Sequence, residues 1–305
     1  MTTGVLLHDV AEAIRRLESG QIVAIPTETV YGLACRADND ESIKRVFAAK
    51  GRPADHPLIL HVAPDTDLTH WCDVTVTAHR LTARFWPGPL TVLLPRGPRT
   101  SDLVTGGRDT VAVRMPSHVM AQEVIHGLSV PVVAPSANSF GHVSPTTAQH
   151  VLDDLGDRVD AVLDGSSCDI GVESTIVDCT VNPPQILRPG AVSRQQIEET
   201  LNDVVAESRG PVRAPGMLAS HYSPRCVMHL AHSAGDAATR ASELRQAGHQ
   251  VVVIDHTGDI NEYARRLYGD LRCAEAAGAD DIVAVMPEGT GLAEAIRDRL
   301  SRASA

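Results

Sequence analysis

Lysine is nearly absent from this chain. Only Lys44 and Lys50 break a run of arginines that makes up the rest of its 27 basic residues. Aromatic residues are scarce too, at 3%, so the cores must be built from Val, Leu, Ala and Ile. The six cysteines form no CxxC pair and lack the dense spacing of a secreted disulfide framework, which points to a reduced, cytoplasmic setting. No apolar run approaches the roughly 20 residues needed to cross a bilayer. The opening stretch, MTTGVLLHDVAEAIRRLESG, reads as an amphipathic helix without the apolar centre of a signal peptide. A soluble protein with no membrane contact is expected.

Other absences bear on chemistry. There is no GxxxxGK[ST] phosphate loop, and PEGTGLAEA holds only a broken GxG of the dinucleotide fingerprint. GxSxG, HExxH and closely spaced His/Cys sets are missing, which disfavours covalent and metal-centred hydrolysis. The net charge of −11 argues against broad nucleic-acid binding, although a local basic cleft survives it.

With 305 residues, 43% of them hydrophobic, the chain is long enough for two ordinary domains. Helix and strand patterns alternate through the first two hundred residues. DVAEAIRRLESG and DESIKRVFAAKG read as helices closed by Gly20 and Gly51; QIVAIP, PLILHV, LTVLLP, TVAVRMP and VPVVAPS read as strands. ESTIVD and PQILRPG suggest a hairpin, so the sheet is expected to be twisted and mixed. After the helical SRQQIEETLNDVV comes an aperiodic, proline-bearing stretch, and beyond it a β-α-β-α-β-α unit of Rossmann-like form. The expected division is a catalytic domain over 1–206, a linker over 207–225 and a small domain over 226–305.

Polar clusters recur at element ends: IPTETVYGL, AAKGRPADHPL, TVAVRMP, APSANSFGHVSPT, GVESTIVD and ILRPGA. Such hydroxyls and guanidiniums suit a large anionic ligand. Each cluster alone has a plainer reading. Lys50 and Arg52 also complement the end of the preceding helix, a contribution of about 0.3–1 kcal/mol. As surface charges they would add little to folding. PTET and SANS also serve as turns and caps, and His61 in LILHVA suits a satisfied core histidine.

Taken together, in order and spacing, IPTETVYGL, KGRP…HPLILHV, FWPGPLTVLL, VAVRMPSH, APSANSFGHVSPTTA, GVESTIVD and ILRPGAV resemble the Sua5/YrdC family of threonylcarbamoyl-AMP synthases. PGMLASHYSP and the unit ending GLAEAIRDRL resemble its longer, two-domain Sua5 form. The resemblance implies a YrdC-like α/β domain followed by a small Rossmann-like domain. It also implies that L-threonine, bicarbonate and ATP give threonylcarbamoyl-AMP and pyrophosphate, the first step of N6-threonylcarbamoyladenosine formation at position 37 of tRNA. ATP and bicarbonate are then substrates, Mg2+ arrives with the nucleotide, and the protein has no metal site of its own. The partners implied are the downstream tRNA transfer machinery and a weak contact with tRNA.

Carried onto this sequence, the resemblance assigns catalysis to Lys50, Arg52, Ser136 and Asn138, the basic pair acting on the triphosphate. It assigns threonine to Thr29, His61, Arg114, Ala134 and Ser174, with Arg114 forking onto the carboxylate. ATP falls to Arg52, His56, Thr110, Ser136, Ser144, Arg188 and Tyr222. The family usually carries Asn where His56 stands. RAPGMLASHYSP, with Met217, His221 and Tyr222 between Pro215 and Pro224 and a flexible point at Gly216, is expected to act as a lid. Two other readings stay open: a carbamoyl-adenylate module of hydrogenase maturation, whose accompanying segments are missing here, and an RNA-binding module.

Overall fold

The computed structural model describes residues 4–208 and 222–305. Pro215, Gly216, Met217 and His221 of the expected lid lie outside the described residues. Eleven described strands form one mixed sheet: β1 (Val5–Leu7), β2 (Val23–Ile25), β3 (Gly32–Arg36), β4 (Ile59–His61), β5 (Leu90–Pro95), β6 (Thr110–Arg114), β7 (Val132–Val133), β8 (Ala161–Leu163), β9 (Thr175–Asp178), β10 (Gln185–Arg188) and β11 (Ala206–Glu207). Their order is β1-β8-β2-β3-β7-β4-β6-β5-β9-β10-β11. β9 and β10 pair antiparallel, the hairpin expected of ESTIVD and PQILRPG.

Seven α-helices are described in this part of the chain: α1 (Val10–Glu18), α2 (Asp40–Lys50), α3 (Val76–Phe85), α4 (Asp102–Thr105), α5 (Val119–Leu128), α6 (Ala148–Leu155) and α7 (Arg194–Leu201). Local chemistry sets the limits of α2. The Asn39 side chain accepts from the Ser42 amide at its start, and Gly51 takes a left-handed φ of 63° at its end. The N-terminal stretch is not one helix, because β1 precedes α1 and pairs with β8. β3 was not expected at all, and β11 extends the large sheet into the start of the expected linker.

The period-two alternation of β4 divides the sheet into two faces. Leu58, Leu60 and Val62 enter the main core, where they meet Ile43 and Phe47 of α2, Leu81 of α3 and Ile197 of α7. Each such fully buried side chain contributes about 1.5–3 kcal/mol. On the opposite face α1 and α5 cover the β2, β3 and β7 side with Leu17, Val124, Ile125 and Leu128. Next to them Ile59, Leu93, Ala112, Ile176 and Leu187 form only a small apolar cluster. The site lies on this less filled face.

The second domain repeats strand and helix as the sequence indicates: β12 (Val227–Ala231), α8 (Ala234–Gln246), β13 (Val251–Ile254), α9 (Ile260–Ala276), β14 (Asp281–Val285) and α10 (Leu292–Ala303). The sheet is parallel, in the order β12-β14-β13. Asp281 of β14 accepts from His229 of β12 at 2.6 Å and from His249, just before β13, at 2.5 Å. Tyr263, Leu267, Tyr268 and Leu271 of α9 share a core with Val30, Val143 and Val172 of the first domain. Gly171 allows this approach: at φ 84°, any Cβ would lie 2.4 Å from the Ala264 carbonyl oxygen of α9.

Candidate active site

A cleft on the less filled face is lined by Thr27, Arg52, His61, Arg114, Ala134, Ser136, Glu173, Ser174, Arg188 and Tyr222, among others. The expected clusters therefore converge, but across the face of the central strands as well as at their ends. His61 faces the cleft because it alternates with Leu60, and Arg114 lies beside it in the β4–β6 register.

Arg114 is 4% exposed and already well anchored. It donates to the Thr29 hydroxyl at 2.8 Å and forms an ion pair with Glu28 at 2.8 Å. Burial alone would raise the pKa of Glu28, but the Arg114 charge and hydrogen bond outweigh it and hold the carboxyl below its ordinary range. A guanidinium has five N–H groups, so Arg114 keeps donors for a further anion. His61 is also buried, with Nδ1 3.1 Å from the Ile59 carbonyl oxygen. Burial, helped by the Arg114 charge, lowers its pKa to about 3, so the ring is neutral. It is both a packed core histidine and part of the cleft wall. Ser174 shares a 2.7 Å hydrogen bond with Thr91, and Arg188 donates to the Ser174 carbonyl and hydroxyl at 3.1 Å each.

The four residues expected to carry catalysis divide into two pairs. Arg52 and Ser136 line the cleft. Arg52 donates to the Pro57 carbonyl at 3.0 Å, while its buried Nε has no partner among the described residues. Burial lowers the Arg52 pKa to about 10, which leaves it charged at neutral pH. Lys50 and Asn138 stand behind the wall, against expectation. Lys50 is 3% exposed, and its ammonium donates to the carbonyls of Ser136 at 2.5 Å and Asn138 at 2.6 Å. Burial and the nearby Arg52 charge move its pKa well below the usual lysine range. It is no surface charge. The Asn138 amide is spent on the carbonyls of Ser139 and His142.

The remaining expected residues are spread around the cleft. His56 meets Phe140 edge-on at 5.2 Å, and the Arg52 guanidinium sits 5.7 Å above the same ring. Thr110 begins β6, at the end opposite Arg114 and outside the cleft lining. Ser144 is fully buried and gives its hydroxyl to Glu173 at 2.6 Å. Tyr222 is 1% exposed, lines the cleft and stacks on Tyr268 with ring centres 5.7 Å apart.

Glu28, Phe140 and Glu173 were seen within motifs but given no role, and Tyr268 and Arg299 were not singled out at all. PTET and GVES held the signal for the two carboxylates. Nothing local marked the second-domain pair, since Arg299 lies 126 residues from the Glu173 it contacts. No described cluster of three or more His, Cys, Asp or Glu is placed to hold a metal.

Comparison with known proteins identifies the family. Residues 15–190 match the Sua5/YciO/YrdC family model, described as "Telomere recombination". Residues 192–305 match the model described as "Threonylcarbamoyl-AMP synthase, C-terminal domain". A threonylcarbamoyl-AMP synthase of Pyrococcus abyssi is 39% identical over 94% of this chain and 92% of its own. One from Bacillus subtilis is 35% identical over 97% and 92%. The crystal structure of P. abyssi Sua5 complexed with L-threonine superposes with a TM-score of 0.92 at 36% identity, covering 100% of this chain and 97% of that one. By sequence over both domains and by fold, the chain belongs to the Sua5 family.

Proposed function

We propose that the protein is a threonylcarbamoyl-AMP synthase that converts L-threonine, bicarbonate and ATP into threonylcarbamoyl-AMP and pyrophosphate. The observation carrying this reading is the anchored Arg114–Glu28–Thr29 corner in the same cleft as Arg52, whose buried Nε lacks a described partner.

The threonine amine and bicarbonate combine to a carbamate with loss of water. A carbamate oxygen then attacks the α-phosphorus of ATP, the bond to the β-phosphate oxygen breaks, and pyrophosphate leaves. Arg114 holds the threonine carboxylate with its remaining donors, steadied by Glu28 and Thr29. Neutral His61, the Ala134 backbone and Ser174 surround the rest of the amino acid. Arg52 and Arg188 balance phosphate charge, and Ser136 orients the nucleotide, assisted by His56, Thr110 and Tyr222. Lys50 and Asn138 hold the Ser136 loop in position; Ser144 fixes Glu173 in the wall. Positioning and charge stabilisation suffice, and no covalent nucleophile is required. The nucleotide brings Mg2+ with it.

Residues 1–206 carry the chemistry, 226–305 cover it and 207–225 join the two. The mixed anhydride hydrolyses readily, so a cytoplasmic enzyme that transfers the threonylcarbamoyl group to tRNA must consume it promptly; direct contact with tRNA is at most weak. The test is pyrophosphate release with ATP, bicarbonate and a panel of amino acids. Release should require all three substrates and favour threonine. Release independent of the amino acid would overturn the proposal.

A further inference from the structure

A carboxylate is an unexpected group in the wall of a cleft that takes a polyphosphate. Glu173 is 6% exposed and lines that cleft. Three groups hold its two oxygens. Oε1 accepts from Ser144, while Oε2 accepts from the Tyr268 hydroxyl at 2.8 Å and from Arg299 Nε at 2.8 Å. Tyr268 belongs to α9 and Arg299 to α10, so the second domain supplies two of the three contacts, one of them charged.

Arg299 is 1% exposed, and all three of its guanidinium nitrogens have partners. Nη1 pairs with Asp298, and Nη2 donates to the Pro189 carbonyl at 3.1 Å, beside Arg188 of the cleft. Its Cζ lies 5.2 Å from the centre of the Tyr222 ring. Gly190 brings this turn close, since a Cβ there would be 2.3 Å from the Thr175 amide nitrogen. Burial alone would raise the pKa of Glu173, yet Arg299 first and Arg188 next hold it at about 2. The carboxylate is thus ionised, buried and balanced chiefly by Arg299 of the second domain, with Arg188 of its own domain next.

We infer that Arg299, aided by Tyr268, is a positioning residue for nucleotide binding: it neutralises Glu173, so the incoming polyphosphate meets no unbalanced carboxylate in the cleft wall. The inference rests on the proposed synthase reading. It gives the second domain an electrostatic share in the ATP site, beyond its role as a cover. A purely structural interface pair would act differently: its loss would loosen the domains regardless of what charge remained on Glu173.

The experiment uses the full chain with Arg299→Met, Arg299→Lys, Glu173→Gln and the Arg299→Met/Glu173→Gln double variant. ATP affinity is measured by calorimetry, KM for ATP and threonine by pyrophosphate release, and folding by thermal melting. Arg299→Met should weaken ATP binding by about tenfold to a hundredfold, the scale of one unbalanced charge a few ångströms from a phosphate. Threonine KM should move far less. Removing both charges should return ATP affinity to within about fivefold of the parent, with Arg299→Lys falling between.

Equal weakness in the single and double variants would reduce Arg299 to interface packing and overturn the inference. So would unchanged ATP affinity in Arg299→Met. If that variant does not fold, the double variant decides, since near-parental affinity supports the inference and weak affinity overturns it. A parent chain that binds ATP but releases no pyrophosphate with threonine and bicarbonate would sink the synthase reading while leaving this charge test intact. One that binds no ATP would sink both.

Discussion

Replacing Lys50 with Met removes the ammonium while keeping much of the side-chain volume. The carbonyls of Ser136 and Asn138 then lose a donor at 2.5 and 2.6 Å. The Ser136 carbonyl keeps the Asn138 amide at 3.0 Å, so the Asn138 carbonyl is the acceptor left unsatisfied, at a cost of about 1–3 kcal/mol. Part of that is offset, because the ammonium no longer has to be held away from water, the effect that pushes its pKa down. A net loss of about 2 kcal/mol should lower the melting temperature by roughly 4–8 °C in a domain of this size. The catalytic consequence should be larger. Ser136 lines the cleft, and a displacement of about 1 Å in a positioning element can cost on the order of a hundredfold in rate. Thermal melting and pyrophosphate release, with KM and kcat resolved for ATP, test both effects on one preparation. A variant that melts within about 1 °C of the parent while turning over normally would refute the idea that Lys50 holds the Ser136–Asn138 loop.

Arg114→Lys should raise the threonine KM at least about tenfold, since a single ammonium cannot keep Glu28 and Thr29 and still fork onto a carboxylate. Valine should be rejected by up to roughly 10⁴-fold if buried polar groups read the threonine hydroxyl, and comparable rates with the two amino acids would contradict that pocket. His61 has a folded pKa of about 3, below its unfolded value near 6.5, so the unfolded chain binds the proton first. Its contribution to stability is complete above about pH 6.5 and is lost as pH falls toward 3, a slope that His61→Gln should flatten in melting curves. Gly171→Ala should separate the domains, because the new methyl group meets the α9 backbone. ATP affinity should fall while a chain ending at Ser208 still folds; parental ATP affinity in Gly171→Ala would show that close docking is not needed.

Much of the fold could be read because its signals are local. α2 carries its own acidic start, apolar stripe and terminal glycine, and the second domain alternates strands and helices without interruption. β1 and β3 were missed for the opposite reason. Three residues before a helix, and five beginning at Gly32, show little periodicity, and their pairing with β8 and β2 supplies what local sequence does not. The site was legible motif by motif, since each polar cluster borders its own strand. Its internal wiring was not. Thr29 and Arg114 are 85 residues apart in the chain, and Glu173 and Arg299 are farther still. Lys50 illustrates the limit: its sequence neighbours suggest a phosphate ligand, whereas its hydrogen bonds run to the Ser136 and Asn138 carbonyls.

The rarity of lysine has a chemical consequence at this site. A carbamoyl adenylate is an acylating agent, and a neutral primary amine is the side chain best suited to intercept it. Lys50 is kept from that role by its position, since its nitrogen is held by two carbonyl oxygens behind the wall. The only other lysine, Lys44, lies on the outer face of α2 and pairs with Glu41. Guanidiniums supply the cleft's positive charge while being poor nucleophiles at neutral pH. The protein can therefore hold its reactive product without labelling itself, and intact mass measurement after many turnovers should find the chain unmodified.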